Sequence, residues 1–565
     1  MDIGSEKRSE QLMPAARITR REWQWVAIFT LVLLIVTTLP YVLGWLVQGS
    51  EWVFNGFVFG VEDGNSYLGK IRLGVRGEWA FHLFMTPENH AGAPLLYLPY
   101  IAAGHILGLF IEEDDPAILT GLIITYHAMR LLLIPPLIIV TYWLIAIFLP
   151  SAASRFLALV IVFLGQGLGW LLALLGQRDW LGTLPPGFYI PEAFSTLIVL
   201  GLPHIILGRL ALLGGFLALF RAMCLTGWRR WGPWVTFAGA CWLGVGLSVA
   251  FYLALIYVLL AVWGLALWFR WRSLPWSFAL RGGSAAAITL PLFGYYAWIF
   301  SQDETFATLS EQIYVPSPHP LQYLLAYGIL GILAARGGWW AWKKHCRDPR
   351  YVLLVAWILV VPFLVYIPVN VQRRLLESVI VPLAILAVMG LRLLTVPLAR
   401  SLGLSYRRIS RRLVMAVLPL LVTSSLFILL GVYLGVINPQ RPVFRPQAEV
   451  TAMEWLAARA PKDAVVMGSM ETGNFLPVVT DLRPFLGHGP ETLHSDEKGQ
   501  TVEDFFSQRL SFDEQVSLYS TFDIQYVFYG PLEREFANTD QMPAWAATLT
   551  LIYDQNGYQI YEVQP

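Results

Sequence analysis

The chain has 565 residues, of which 56% are hydrophobic and only 14% are charged, and its mean hydropathy is +0.57. About a quarter of the residues of an ordinary soluble domain are charged, so this composition excludes a soluble globular protein. It predicts a polytopic α-helical membrane protein, and the formal net charge of +1 gives no reason to expect a nucleic-acid partner.

Eleven apolar segments follow one another along the chain. We predict transmembrane helices over residues 25–47, 117–149, 156–176, 194–220, 233–249, 250–269, 282–300, 321–342, 351–368, 378–395 and 413–437. The first segment is longer than the apolar core of a signal peptide, which is about 7–15 residues, so we expect it to be retained. None of the three cysteines lies in a segment predicted to face the outside, so no disulfide is expected.

The distribution of basic residues predicts the orientation. With a cytoplasmic N-terminus, 23 lysines and arginines fall on the inner side and 6 in the short outer segments. This agrees with the positive-inside rule and places the C-terminus outside the plasma membrane. The count requires that 94–111 not span, which we expect because this segment is short, contains two prolines and leads into four acidic residues.

The composition changes after residue 437, where charges return and the apolar runs shorten. "AEVTAMEWLAARA", "TVEDFFSQ" and "DEQVSLYSTF" predict helices, and "AVVMG" and "QYVFYG" predict short buried strands. The sequence therefore predicts a cytoplasmic tail (1–24), a membrane domain (25–437) with a long first outer loop (48–116), and a small extracytoplasmic α/β domain (438–565).

Two adjacent carboxylates, Glu62 and Asp63, open the first outer loop in "GVEDGNSY". Paired carboxylates supply a general base or hold a divalent cation, and the alternative for this pair is that both are solvated loop charges. The aromatic residue Tyr67 follows them closely. We interpret the pair as a candidate catalytic site at the end of the first helix.

Two arginines, Arg373 and Arg374, lie in the predicted outer segment "VNVQRRLLES" and break the positive-inside rule. The planar guanidinium group binds phosphate through two parallel charge-assisted bonds, so the pair suits a lipid-linked phosphate. The alternatives are anchoring to lipid headgroups and a salt bridge with Glu377.

The layout and several segments resemble the GT-C superfamily of membrane glycosyltransferases, which use polyprenyl-phosphate-linked sugars. "VEDGNSY" is similar to the acidic motif of the family's first outer loop. "TPENHAGAPLLYLPY" stands where protein mannosyltransferases and the lipid A aminoarabinose transferase carry a His-Pro-Pro-like or Lys-Pro-Pro-like stretch. "PEAFSTLIVLGLPHIILG", "QRRLLESVIVPLAILA" and "GNFLPVVTDLRPFLGHGPET" look like segments of bacterial members.

The sequence departs from the family pattern at two places. The acidic pair is Glu-Asp where many relatives have Asp-Glu or Asp-Asp, and Ala-Gly-Ala-Pro follows His90 in place of a proline pair. The resemblance implies a catalytic role for Asp63 first and Glu62 second.

Further polar residues complete the candidate set. The substrate-binding candidates are Arg373, Arg374, His90, His204, Glu88 and Gln372. For His204, which follows a proline predicted to lie inside a helix, a structural role stays open. The candidate ligands for a divalent cation, Mg²⁺ or Mn²⁺, are Asp303, Glu304 and Glu311. We expect His488 and His494 to be ordinary surface or loop residues, with a reach over the site as the alternative.

The resemblance implies an inverting hexosyl- or pentosyltransferase that moves a sugar from a polyprenyl-phosphate donor to a glycan, lipid or protein acceptor at the outer face, among membrane lipids. We expect Asp63, Glu62, Arg373 and Arg374 to share one cavity. Two alternatives stay open: a non-catalytic relative acting in envelope glycan assembly, and a transporter of a lipid-linked substrate. A transporter typically shows internal repeats, and none is evident in this sequence.

Overall fold

The computed structural model describes residues 17–537 and 542–564, so most of the predicted tail 1–24 lies outside the described residues. The chain divides into two compact units. The first unit comprises Met1–Thr38, Arg130–Tyr296 and Tyr314–Gly431. The second unit comprises Leu39–Met129, Ala297–Ile313 and Val432–Pro565. The predicted domain boundaries stay predictions.

Most of the described chain is helical. The α-helices are α1 (Arg20–Val47), α2 (Val61–Val75), α3 (Leu98–Leu107), α4 (Ile118–Phe148), α5 (Ala152–Leu164), α6 (Gly169–Leu174), α7 (Pro186–Tyr189), α8 (Ser195–Gly201), α9 (Pro203–Met223), α10 (Trp228–Ser248), α11 (Tyr252–Trp271), α12 (Trp276–Ala287), α13 (Leu290–Gln302), α14 (Glu304–Gln312), α15 (Pro320–Lys344), α16 (Pro349–Leu364), α17 (Ile380–Ser401), α18 (Tyr406–Val436), α19 (Gln447–Ala457), α20 (Met470–Val479), α21 (Ser495–Phe506), α22 (Phe512–Phe522) and α23 (Pro531–Ala537). Short 3₁₀-helices cover Trp180–Gly182, Pro191–Ala193, Gln372–Leu376 and Ala544–Thr548. The strands are β1 (Trp52–Phe54), β2 (Ala80–Phe81), β3 (Ala93–Pro94), β4 (Phe444–Pro446), β5 (Val465–Met467), β6 (Arg483–Pro484), β7 (Ile524–Tyr529), β8 (Thr550–Gln555) and β9 (Tyr558–Glu562).

Seven helices of the described chain are long and apolar enough to cross a bilayer, or eight if α12 and α13, bent by 50°, form one span. The seven are α1, α4, α9, α11, α15, α17 and α18. A span needs about 20 apolar residues, and several such helices make this a multi-pass membrane protein. The polytopic helical fold predicted from the sequence is confirmed.

The prediction of eleven spans exceeds this number because three predicted segments fall short. Helix α5 has 13 residues and α16 has 16. Helix α10 reaches 21 residues, but its glycines and tryptophans lower its hydropathy. The predicted helix 194–220 is also interrupted, since α8 ends at Gly201 and Pro203 begins α9.

In the first unit, α15 and α17 cross at two glycines. A Cβ atom on Gly337 would lie 1.9 Å from the carbonyl oxygen of Leu386, and one on Gly390 would lie 2.0 Å from that of Leu333. Lipid tails are as apolar as the helix surfaces, so the hydrophobic effect does not drive membrane helices together. Small residues instead let the helices approach closely and gain van der Waals contacts. The two glycines therefore set the distance between these helices.

We expect Gly337→Ala to destabilise the protein by about 1–3 kcal/mol, because the added methyl group forces the two backbones apart. Thermal unfolding in nanodiscs measures the effect. The matched control is Gly328→Ala, on the same helix with open space around its Cβ position. An equal melting temperature for the two variants would contradict the close crossing.

The second unit combines a five-stranded sheet with the long segment between α1 and α4. The strand order is β6-β5-β7-β9-β8, with β5 parallel to β6 and β7, and β9 antiparallel to β7 and β8. The predicted strands "AVVMG" and "QYVFYG" are confirmed as β5 and β7. The three helices predicted after residue 437 are confirmed as α19, α21 and α22.

One of the two hydrophobic core clusters of this second unit links its separate segments. It joins buried residues of α2, such as Leu68 and Ile71, to buried residues of the tail, such as Phe475 and Phe528. Helix α3, within the segment 94–111, has ten residues. At 1.5 Å per residue it is about 15 Å long, too short to span alone. The shared core brings α2 against the tail.

Candidate functional site

Helix α2 carries the acidic pair on its first turn. Its N-cap residue, Gly60, has a φ of 56°, a left-handed conformation that glycine adopts without steric cost. Glu62 and Asp63 follow at the helix N-terminus, where the helix dipole favours negative charge. The pair therefore lies on a helix rather than at the predicted loop position. The side chains of Glu62 and Asp63 are 49% and 66% exposed.

The tail fixes the position of Glu62. The backbone N–H of Gly489 donates a hydrogen bond of 2.8 Å to Oε1 of Glu62. The side-chain amide of Asn474 donates to the backbone carbonyl of Glu62 at 3.2 Å, and the amide of Asn65 donates to Asn474 at 2.8 Å. These bonds hold the first turn of α2 in one orientation.

His488 faces Asp63 from the same loop. It is 4% exposed, and its Nδ1 accepts a hydrogen bond of 3.2 Å from the backbone N–H of Glu491. This bond assigns the proton of the neutral ring to Nε2, which lies 3.5 Å from Oδ1 of Asp63. His488 is thus buried beside the acidic pair, as in the alternative left open for it, whereas His494 is exposed.

A buried ion pair lies behind this site. Nζ of Lys70, a residue with no exposed surface, is 2.7 Å from Oε1 of Glu491 and 4.1 Å from the ring centroid of Tyr97. The hydroxyl of Ser66 donates to the other carboxylate oxygen of Glu491 at 2.7 Å. Because Ser66 and Lys70 lie on α2 and Glu491 in the loop of His488, the pair locks the loop onto the helix.

The charges of the site shift two pKa values. Burial alone lowers the pKa of His488, but Asp63, Glu491 and Glu62 outweigh it and raise this pKa above its ordinary value. Burial alone raises the pKa of Glu491, but Lys70 and His488 hold it below its ordinary value. The nearby charges therefore favour the protonated imidazole and the ionised carboxylate, and on protonation Nδ1 of His488 no longer accepts from the N–H of Glu491.

This linkage predicts a pH dependence of stability. A histidine with a raised pKa contributes stability that is present below its unfolded pKa, near 6.5, and is lost as the pH rises through the folded pKa. We expect the melting temperature of the wild type to exceed that of His488→Gln most at pH 5.5 and least at pH 9. The matched control is His494→Gln. A difference that does not change with pH would contradict the assignment.

The arginine pair belongs to the first unit. Arg373 and Arg374 lie on the 3₁₀-helix Gln372–Leu376. The guanidinium carbon of Arg373 is 5.0 Å from the ring centroid of Tyr189, and that of Arg374 is 5.1 Å from the ring centroid of Phe251. Cation–π contacts orient a guanidinium group without neutralising its charge.

The predicted alternative of a salt bridge between this pair and Glu377 is wrong. Glu377 binds Arg209, whose Nε lies 2.5 Å from Oε1 of Glu377, and both side chains are fully buried. Nε of Arg374 is 4.0 Å from Oε1 of Glu192. Sequence reasoning missed Arg209, although a charged residue inside a predicted membrane helix was the available signal.

An apolar groove of about 770 Å³ lies between α15, α16 and the start of α17. Its lining includes Tyr323, Trp339, Leu359 and Leu376. Leu376 lies on the same 3₁₀-helix as the arginine pair. This 3₁₀-helix thus carries both the arginine pair and a residue that lines the apolar groove.

Comparisons with known proteins identify the fold. No family model and no curated protein matches the sequence. The structure is similar to the Archaeoglobus fulgidus oligosaccharyltransferase tethered to an acceptor peptide with the NVT sequon, at 12% identity and TM-score 0.53, over 90% of this chain and 69% of that one. The Archaeoglobus fulgidus oligosaccharyltransferase AglB, in complex with an inhibitory peptide and dolichol-phosphate, matches at 12% identity and TM-score 0.51, over 90% and 70%.

The chain has the GT-C fold. Its structure also matches ArnT from Cupriavidus metallidurans bound to undecaprenyl phosphate, at 16% identity and TM-score 0.47, over 96% of this chain and 99% of that one. The two oligosaccharyltransferase structures confirm the resemblance predicted from the sequence as a likeness of fold.

Within this GT-C fold, two of the predicted substrate-binding residues already have protein partners. Oε1 of Glu88 lies 2.5 Å from Nζ of Lys498. His90 accepts from the backbone N–H of Leu83 at 2.8 Å, and its Nδ1 lies 3.1 Å from the carbonyl oxygen of Glu88. His90 also lines a polar cavity of about 200 Å³. These bonds order the segment after β2.

The remaining substrate-binding candidates belong to the first unit. Oε1 of Gln372 accepts from the backbone N–H of Ser317 at 3.2 Å, which fixes the start of the 3₁₀-helix that carries the arginines. His204 is half-buried and lies at the start of α9, directly after Pro203. Pro203 therefore begins a helix and does not interrupt one, contrary to the prediction.

The three candidate metal ligands do not form a cluster in the structure. Asp303 caps α14 by accepting from the backbone N–H groups of Thr305 and Phe306 at 3.0 and 3.2 Å. Glu304 and Glu311 lie exposed on the same helix. Among residues 17–537 and 542–564, no group of three histidine, cysteine or acidic side chains is arranged to hold a metal ion.

Proposed function

We propose that the protein is a membrane glycosyltransferase that moves a sugar from a polyprenyl-phosphate donor to an acceptor on the outer face of the plasma membrane. The GT-C fold supports this class of reaction, and the presence of dolichol-phosphate in the AglB complex supports a lipid-linked phosphate as the donor. The excess of basic residues on the opposite side supports a cytoplasmic N-terminus and an extracytoplasmic tail.

Asp63 is the general base in this proposal. One observation carries it: Asp63 is 66% exposed, while the residues around it are fixed by the bond from Gly489 to Glu62 and by the buried ring of His488. An exposed carboxylate on a fixed support can accept the proton of an acceptor hydroxyl as that oxygen attacks the anomeric carbon. The sugar–phosphate bond breaks, the phosphate leaves with its electron pair, and the configuration inverts.

Arg373 and Arg374 bind the donor phosphate in this proposal. Because Glu377 binds Arg209, it does not neutralise Arg373, whereas Arg374 lies 4.0 Å from Glu192, which makes Arg373 the first phosphate ligand. A charge-assisted bond from guanidinium to phosphate stabilises both the bound donor and the departing phosphate. The apolar groove along α15 and α16 suits the hydrocarbon chain of the same donor.

We expect Arg373→Ala to weaken donor binding about ten-fold or more, since a hydrogen bond to a charged group contributes roughly 1.5–3 kcal/mol. Binding of a fluorescent polyprenyl-phosphate sugar to the protein in nanodiscs measures the change. The matched control is Arg178→Ala, an exposed arginine of the loop after α6. If Arg373→Ala bound the donor as tightly as the wild type, Arg373 would not be a ligand of the donor phosphate.

Sugar transfer by the purified protein tests the whole proposal. The assay supplies a synthetic polyprenyl-phosphate hexose or pentose and an extract of envelope glycans, lipids and proteins, and mass spectrometry detects the acceptor. Transfer that requires Asp63 supports the enzyme. Donor binding without transfer from any of these donors would favour the non-catalytic relative.

A further inference from the structure

A second cavity of the first unit, which we name the basic pocket, has no part in the proposed reaction. Its volume is about 770 Å³, within the range of about 300–1,000 Å³ that small-molecule sites occupy. It is lined by Arg17, Ala146, Ile147, Phe148, Leu149, Pro150, Arg155, Trp340, Tyr351, Met389, Arg392, Leu393, Val396 and Tyr406. Three arginines and no carboxylate belong to this lining.

The charges of the pocket are only partly compensated. Nη1 of Arg155 lies 3.0 Å from Oε2 of Glu22, and both side chains are buried, so this arginine is neutralised within the protein. Among the residues that the structure describes, neither Arg17 nor Arg392 forms an ion pair of 4 Å or less with a carboxylate. The pocket therefore attracts an anion.

The walls of the pocket are apolar and aromatic. Phe148 packs edge-on against Tyr351 at 5.2 Å between ring centroids, and Met389 and Leu393 form part of the wall on α17. A free inorganic anion gains nothing from such walls, whereas an amphipathic ligand places its hydrocarbon part against them. The combination of arginines and apolar walls fits a phosphate group attached to an acyl or prenyl chain.

The position of the pocket along the chain agrees with this chemistry. Its residues lie just before α1, at the ends of α4 and α15, at the starts of α5, α16 and α18, and from the middle of α17 toward its end. The basic-residue count assigns all these helix ends to the cytoplasmic side. Basic pockets between membrane helices on that side are suited to anionic lipid headgroups.

We propose that the basic pocket binds the phosphate headgroup of an anionic membrane lipid from the cytoplasmic leaflet, with Arg17 and Arg392 as the phosphate ligands. Arg155, held by Glu22, shapes the pocket. This proposal does not depend on the proposed sugar transfer.

Native mass spectrometry of the full chain tests the proposal, after reconstitution with phosphatidylglycerol or with phosphatidylcholine. We expect the wild type to retain phosphatidylglycerol selectively. The double variant Arg17→Gln/Arg392→Gln should bind it about 30-fold more weakly, since each arginine near an anionic surface contributes roughly a factor of five. The matched control, Arg400→Gln, removes an exposed arginine of α17 that does not line the pocket.

Two results would overturn the proposal. Equal retention of phosphatidylglycerol by the double variant and the wild type would show that the two arginines do not bind the lipid. Inorganic phosphate that displaces phosphatidylglycerol and raises the melting temperature as much as the lipid does would make the ligand a free anion. A melting curve for the double variant that matches that of Arg400→Gln excludes misfolding as the cause of weaker binding.

Discussion

Asp63→Asn should lower turnover by about 10²–10⁴ and leave donor binding nearly unchanged. A positioned general base typically contributes a factor of this size. Asparagine keeps the shape of aspartate but cannot take up the acceptor proton at neutral pH. Single-turnover transfer from a polyprenyl-phosphate sugar in nanodiscs, with donor binding measured separately, distinguishes the two effects.

Two further variants sharpen this test. Asp513→Asn removes an exposed acid from the first turn of α22 and should not change turnover. Glu62→Gln should reduce turnover less than Asp63→Asn, because Gly489 already binds a carboxylate oxygen of Glu62. Full turnover in Asp63→Asn, with a loss in Glu62→Gln, would move the base to Glu62.

Glu491→Gln should destabilise the second unit by about 3–5 kcal/mol, because it leaves the ammonium group of Lys70 buried without a counter-ion. Lys70 has no exposed surface, and Oε1 of Glu491 lies 2.7 Å from its Nζ. Thermal unfolding followed by proteolysis of the unfolded tail measures the loss.

The double variant Lys70→Met/Glu491→Met identifies the cause. Replacing both charges by apolar groups removes the penalty of an unpaired charge, so the double variant should be more stable than Glu491→Gln. Arg509→Gln breaks the exposed pair of Arg509 and Glu503 and should leave the melting temperature nearly unchanged. A double variant less stable than Glu491→Gln would contradict the account.

Much of the fold could be predicted because its signals are local. A membrane helix requires a run of apolar residues, so α1, α4 and α18 were evident from the sequence alone. The strands β5 and β7 were predicted from short apolar runs followed by glycine. By length and apolarity the described chain has seven or eight such helices against the predicted eleven, because the lengths of α5 and α16 depend on where tertiary packing ends each helix.

The candidate site could be predicted only in part, because its pairings join distant segments. Glu62 and Asp63 were found as adjacent acids, whereas the partners of Glu62 and Lys70, Gly489 and Glu491, lie more than 400 residues later. The segment that contains "GHGPET" resembles members of the family. No local pattern in it, however, distinguishes a buried histidine such as His488 from an exposed one. Arg209 and Glu377 are separated by 168 residues and were not paired in the prediction.

The hydrogen bond from Gly489 to Glu62 joins residues 427 positions apart, so the ribosome makes the two halves of this contact at different times. A ribosome adds about 5–20 residues per second, so roughly 20–85 s separate the synthesis of these two residues. During that interval α2 already carries Glu62 and Asp63, but the tail that orients them does not yet exist. If the proposed function is right, the site around Asp63 is complete only after the tail has folded onto α2.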